Sequence, residues 1–418
     1  MYLNVHRKGE LVMFEGKIIK FYREKLKLTQ EQLGKDICSI THISKIECNR
    51  TTFNNEIISL LSERLGINME DEINKLINIK NRLSQWHEAI IMQLNNEIEQ
   101  INLELECDEL IKISDYTHLY ELLRVRYLLI HNETREAEKI IKKIQKLENE
   151  LSDYEFNLLK HVLGIYYLSL QNHNKAIQTL KQIQIEYYHN PEYYYHLAIA
   201  YHTINSPVLA YYYAEKSHKF FKDINNYLRV IDAEMIMIIQ VTEDGNHEEV
   251  INRFKNLIKS CELCNAPDRK AKVLHNLGYE YYRQKNYILA IGYYRESMAL
   301  KNQESATYLL SFESYIRCAY DGKLIPTDEL IKLAEDGLVI AIRMNEVLFI
   351  HLIRLTLYLL KSKVKEYHQY LAKKALPMYV KYGYSFLIQQ SEKELFNYYS
   401  KMNLPDKALE MANLLITK

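Results

Sequence analysis

Three stretches of this chain repeat one pattern. LGIYYLSLQNHNKAIQTL from Leu163, LAIAYHTINSPVLAYYYA from Leu197 and LGYEYYRQKNYILAIGYY from Leu277 each set a small residue after leucine. Tyrosine follows three residues later, and alanine comes twelve after the small residue: Gly164 to Ala176, Ala198 to Ala210, Gly278 to Ala290. The first two units lie 34 residues apart. A period of that length is one helical hairpin, too small to bury its own apolar face, so neighbouring hairpins have to stack. The 80 residues from Ala198 to Gly278 leave room for one lengthened unit around Ile238 to Val250. Weaker units surround Ala137 and Ala408, and helical segments fill Ser305–Met344 and Glu346–Tyr382. With only 11 glycines and 6 prolines in 418 residues, the chain lacks the turn residues that sheets and glycine-rich loops consume. The expected fold class is all-α.

The spacing is that of tetratricopeptide repeats, which stack into a right-handed superhelix with a concave inner wall. The expected organisation has three parts: a helix-turn-helix domain over 1–66, a helical linker over 67–110, and a repeat domain over 111–418. The first part reads as helices over Phe14–Lys25, Gln30–Ile37, Ile40–Glu47 and Asn55–Leu65. Thr29 and Ser39 have N-cap chemistry, and Gly66 suits a C-terminal stop. Ile18, Phe21, Leu33, Ile37, Ile43, Ile46, Ile57, Leu61 and Leu65 recur at helical spacing and predict a small core. From Met69 to about Glu106 the pattern stays helical and polar, and holds the single tryptophan, Trp86.

The string LTQEQLGKDICSITHISKIE resembles the helix-turn-helix of the Cro/repressor superfamily. The resemblance implies that Gln30 contacts phosphate and braces the recognition helix. It implies that this helix starts after Ser39 and projects Thr41, His42 and Lys45 into the major groove, so Gln30, Ser39, Thr41, His42 and Lys45 form the expected DNA-facing set. Arg23 and Glu47 match a family pair that ties the first helix to the third. The turn ICSI is one residue short of the common form. After Glu47 the usual Gly and Pro give way to CNRTTFNN, where Asn49 is able to take the left-handed conformation.

A Cro-type domain followed by tetratricopeptide repeats is similar to the peptide-pheromone regulators of Gram-positive bacteria, the RRNPP group (Rap, Rgg, NprR, PlcR, PrgX). Chain length and repeat number look most like NprR-like members. The resemblance implies a quorum-sensing transcription regulator in the cytoplasm. A re-imported oligopeptide would bind the concave wall, change the assembly of dimers or higher oligomers, and so switch binding to a double-stranded DNA operator. It also implies an alternative: an adaptor that binds and inhibits a sporulation phosphorelay response regulator.

Repeat register selects the residues of the inner wall. Arg126 stands there as a cation suited either to a peptide carboxylate or to a salt bridge with a neighbouring repeat. Asn276 carries both donor and acceptor, suited to a peptide unit or to its own repeat. His161, Leu168, Tyr195, His202, Tyr279 and Tyr282 fall on the same wall and offer apolar pockets with polar edges.

Other readings are weaker. Residues 1–30 hold seven basic side chains (Arg7, Lys8, Lys17, Lys20, Arg23, Lys25, Lys27) against Glu10, Glu15 and Glu24, either a phosphate-contacting patch or a solvated face. The polar N-terminus fits no secretory signal, and no apolar run reaches membrane-spanning length, so no membrane partner is expected. Six sparse cysteines suit reduced thiols. Cys261 and Cys264 form a lone CxxC better read as helix packing than as a zinc site. His87-Glu88 lacks a second histidine at Ile91, so HExxH fails. No P-loop, GxGxxG or GxSxG occurs, and neither an enzyme, a metal nor a cofactor is expected.

Overall fold

The computed structural model describes residues 14–48, 54–241 and 246–416, all helix, turn and loop, with no strand among them. It divides into two compact units, Met1–Ser169 with Gln182–Asn190, and Leu170–Lys181 with Pro191–Lys418.

The first unit opens with α1 (Glu15–Lys25), α2 (Gln30–Gly34), α3 (Ile40–Glu47) and α4 (Asn55–Leu65). Thr29 starts α2 through a reciprocal cap: its hydroxyl accepts from the Gln32 N–H at 3.1 Å, and the Gln32 side chain accepts from the Thr29 N–H at 2.8 Å. The Ser39 hydroxyl caps α3 by accepting from the His42 N–H, and Gly66 ends α4 at φ 68°. One expectation is corrected here. The helix expected to run to Ile37 stops at Gly34, because Asp36 turns left-handed and the Ile37 and Cys38 N–H groups fold back onto the Gly34 carbonyl. A Cβ on Gly34 would sit 3.1 Å from the Ile43 side chain, so glycine lets α2 lie close on α3. Ile19, Leu33, Ile43, Ile46, Ile58, Leu61 and Leu65 form the core. Ile18 is buried as expected, Ile19 and Ile58 are buried besides, and Phe21, Ile37 and Ile57 are only half-buried.

Next come α5 (Met69–Met92) and α6 (Asn95–Cys107). Their inner faces are apolar and tightly packed. Trp86 is fully buried, donates its indole N–H to the Ile98 carbonyl at 3.2 Å, and lies beside Tyr120 and Tyr127. A 3-10 turn at Glu109–Ile113 leads to α7 (Thr117–Ile130), α8 (Thr134–Gln145) and α9 (Asp153–Ser169).

The second unit contains α10 (His173–Leu180) and then hairpin after hairpin. These are α11 (Tyr193–Thr203) with α12 (Pro207–Asp223), α13 (Tyr227–Gln240) with α14 (His247–Leu263), and α15 (Pro267–Arg283) with α16 (Tyr287–Ala299). They continue as α17 (Ala306–Asp321) with α18 (Thr327–Arg343), and α19 (Val347–Leu360) with α20 (Val364–Tyr370), where a π-turn at Leu371–Ala375 leads into α21 (Leu376–Tyr382). Last are α22 (Ser385–Lys401) and α23 (Pro405–Ile416). The small residues of the repeat pattern sit where paired helices meet. Ala198 and Ala210 are fully buried. A Cβ on Gly278 would meet the Tyr294 ring at 3.1 Å and the Ala290 carbonyl at 3.3 Å. Ile238 and Val250, the pair expected for the lengthened unit, are buried in the α13/α14 core. Glycine is scarce because asparagine makes many of the tight turns: Asn205, Asn225, Asn265, Asn345 and Asn403 all adopt positive φ just past a helix end. Within this unit the Asn205 amide donates to Gln389 Oε1 at 2.9 Å, across 184 residues of sequence.

Candidate DNA-reading helix and inner wall of the repeats

Helix α3 is held to its neighbours through one carboxylate. Glu47, 8% exposed, accepts from Arg23 Nε and Nη2 and from Gln30 Nε2, the last at 2.8 Å. Arg23 Nη1 also donates to the Leu28 carbonyl at 2.9 Å. These bonds tie α1 and α2 to the end of α3 and give Gln30 a bracing position. Thr41 and Lys45 stand exposed on α3, and Ser39 is exposed at its start with its hydroxyl engaged as the cap. His42 is half-buried, and its Nε2 lies in a buried position without a hydrogen-bond partner among the described residues. Arg64 was not singled out in the sequence: its guanidinium donates to the Leu33 and Lys35 carbonyls and pins α4 under the α2–α3 turn. Only the fold pairs those groups, since nothing in the local pattern around Arg64 marks them.

Of the seven basic side chains read from residues 1–30, three are paired with acids. Lys17 pairs with Asp115 and Lys25 with Glu109, both acids at the 3-10 turn that leads to α7. Arg23 is taken by Glu47. Lys20 and Lys27 remain exposed, while Arg7, Lys8 and Glu10 lie outside the described residues, as does Asn49. Tyr22 adds a neutral link by donating its hydroxyl to Glu72 Oε2 at 2.8 Å, and Glu72, 5% exposed, also accepts from Lys75. Burial first, and then the Glu72 carboxylate, hold the Tyr22 phenol protonated far above its usual range.

The residues expected on the inner wall fall into two sets. In the first unit Arg126 is 4% exposed within α7, where its charge acts on Tyr154. His161 is fully buried, with Nδ1 2.8 Å from the Tyr188 hydroxyl. Leu168 is half-buried. Repeat register sets Arg126 and His161 on the inner wall, and in the fold both side chains are buried. In the second unit the expected residues are more accessible. Asn276 is half-buried on α15 and makes no hydrogen bond among the described residues, and Tyr279 one turn on is 44% exposed. Tyr282 stacks near Tyr279 and donates to Asp321 Oδ2 at 2.6 Å. On α11, Tyr195 is half-buried beneath the Arg229 guanidinium, 4.6 Å from the ring centroid. Exposed His202 is bonded to the Gln240 amide at 2.9 Å. Behind Tyr195 the sequence reading missed a charged network. Arg269 grips Asp232 through two bonds of 2.9 Å, and Arg229 lies 3.6 Å from the same carboxylate. Asp232 and Arg269 are 37 residues apart, close to one repeat period, and that spacing is the signal that would have revealed them. Cys261 packs in the α13–α16 core and Cys264 against it; burial raises the Cys261 thiol to about 11.

Residues 19–71 match a helix-turn-helix family model. Over 324 residues the chain is 23% identical to the transcriptional activator NprA of Geobacillus stearothermophilus, covering 73% of this chain and 79% of that protein. The chain is thus similar to NprR-like members of the RRNPP group. It is also 24% identical over 251 residues to the regulatory protein RapD of Bacillus subtilis strain 168, covering 58% of this chain and 70% of that one. Among solved structures, the apo quorum sensor NprR from B. thuringiensis aligns with TM-score 0.65 at 21% identity. NprR in complex with its cognate peptide NprX aligns with TM-score 0.68, also at 21% identity. Each alignment covers 81% of this chain and 98% of that chain, and shows that the helical repeat fold is shared. No helix among the described residues is long and apolar enough to cross a membrane.

Proposed function

We propose that this chain is a quorum-sensing transcription regulator, not an enzyme. In this reading α3 reads a double-stranded operator, and the inner wall of the second unit takes a short re-imported signalling peptide that switches self-assembly and DNA binding in the cytoplasm. The three-part division at residues 66 and 110 assigns reading, linkage and sensing. The observation that carries the DNA half is the bracing of α3 by Glu47, Arg23 and Gln30 while Thr41 and Lys45 stay exposed. A capped, rigid helix offering polar side chains on one face is what entry into a major groove requires. The sensing half rests on Asn276, whose amide is unsatisfied by its own repeat, next to exposed Tyr279. The likeness to NprR bound to NprX supports a peptide as occupant. Footprinting of the promoter next to the gene, with and without synthetic peptides encoded by short neighbouring reading frames, tests both halves. Two protected half-sites that change with one peptide support the reading, and no protected site under either condition overturns it. The match to RapD favours a second role, binding a response regulator. Pull-down with a purified phosphorelay response regulator, with and without peptide, decides that role.

A further inference from the structure

A compact polar cluster in the second unit has no part in the contacts described so far. The Ser311 hydroxyl, fully buried on α17, is the meeting point of three groups. Lys301 Nζ donates to it at 2.6 Å, His275 Nδ1 lies 3.0 Å away, and the Ser297 hydroxyl lies 3.1 Å away. Ser297 in turn donates to the Ala271 carbonyl at 2.6 Å. Ser311 therefore accepts from the ammonium and passes its own proton to one of the two remaining neighbours.

What the cluster lacks is a negative charge. Among the described residues no carboxylate pairs with Lys301. Glu304, three residues on, is bound to Arg343. Another cation, Lys272, one turn before His275 and Asn276 on α15, also acts on Lys301. An ammonium has three N–H donors, and Ser311 uses one. Burial first and then Lys272 push Lys301 down to about 8, while burial and then Lys301 push His275 to about 3. A half-buried cation without a counter-ion is costly unless something completes it.

We propose that Lys301, seated on Ser311 beside His275, is a carboxylate-binding subsite that anchors an acidic side chain or the C-terminus of the signalling peptide. This rests on the peptide reading above. It adds that the peptide is held at one point by charge and along its backbone by Asn276, which adjoins His275 on α15. Serine fixes the ammonium in direction, and neutral His275 adds no positive charge to that of Lys272.

The test uses the full-length protein and a synthetic library of short linear peptides with free C-termini. Peptides retained on the immobilised wild type are identified by mass spectrometry. Each is remade with an amidated C-terminus, and separately with its Asp or Glu replaced by Asn or Gln, and titrated by calorimetry. One of these neutralisations should weaken wild-type binding by about ten- to a hundredfold, the size of a lost charged hydrogen bond. Lys301→Met should weaken the parent peptide equally and erase the difference between parent and neutralised peptide. The amide and the Asn or Gln arms say which carboxylate is held. If Lys301→Met binds the parent as wild type does, or if no neutralisation matters to the wild type, the subsite is overturned while the peptide reading stands. If the wild type retains no peptide, both fall. Should Lys301→Met not fold, Lys301→Gln takes its place, and wild-type affinity of that variant for the parent peptide overturns the subsite.

Discussion

Glu47 gives the sharpest test of how the reading helix is held. Its side chain is 3% exposed and faces the Arg23 side chain, itself 12% exposed, with Gln30 as a third partner. Removing one member of such a pair strands the other charge, at a cost of roughly 3–5 kcal/mol, whereas replacing both with apolar groups is often close to neutral. Glu24 offers Arg23 a second carboxylate on its solvent side at 3.3 Å, which argues for the low end. Glu47→Leu should therefore destabilise α1–α4 by about 3 kcal/mol, and Arg23→Met combined with Glu47→Leu by clearly less. Hydrogen exchange of the full-length chain, read by mass spectrometry on peptides covering α1 and α3, measures the local opening free energy. The repeats provide an internal control, since their exchange should not change. A double variant as unstable as Glu47→Leu alone would show that shape and packing around Glu47, and not the stranded charge of Arg23, set the penalty.

Other outcomes follow from the same contacts. Thr41→Ala or Lys45→Ala should cost about 1–3 kcal/mol at one operator position and relax preference there, as read by binding to a panel of single-base operator variants. Gln30→Ala should weaken binding to all sequences alike in the same assay, because its amide braces α3 without reading bases. Asn276→Ala should weaken whichever peptide is retained by about fivefold or more regardless of its side chains, with melting temperature unchanged. His275 gives a pH signature: its folded value lies near 3, below that of the unfolded chain, so the unfolded state takes up the proton first as pH falls. Stability should then decline from about pH 6.5 downward toward 3, and His275→Asn should flatten the melting temperature against pH in that window.

Much of the helical architecture was legible because helices leave local marks. Thr29 and Ser39 announce helix starts by chemistry that acts within three residues, and Gly66 announces a stop. Gly278 and Ala290 reveal a helix pair because close approach demands small side chains at fixed spacing. The α2 terminus was not legible, since Asp36 turns left-handed where glycine or asparagine would have been the cue. The stretch around Trp86 reads as polar in composition because Glu, Asn, Lys and Gln fill the exposed positions, although Leu76, Ile79, Leu83, Trp86 and Ile90 recur at helical spacing on a buried face. At the candidate sites, register names Asn276 and Tyr279, which stay accessible, together with Arg126 and His161, which are buried. Register fixes which side of a helix a residue occupies, and packing decides whether that side is open. Nor does any local pattern show that Lys17 and Lys25 would meet Asp115 and Glu109, some 98 and 84 residues away.

Those last pairs, with Tyr22 on Glu72, bear on operator architecture. A DNA-binding head on a loose tether accepts half-sites at several separations, because the tether absorbs the difference. Here α1 is gripped at three points by the segment that follows the head, so the two recognition helices of a dimer would keep one separation and one relative rotation. A duplex turns once in about 10–10.5 base pairs, so inserting about five between half-sites puts the second on the opposite face of the helix. Such an operator should lose cooperative binding, and Tyr22→Phe with Lys17→Ala and Lys25→Ala should restore part of it by freeing the head to swing.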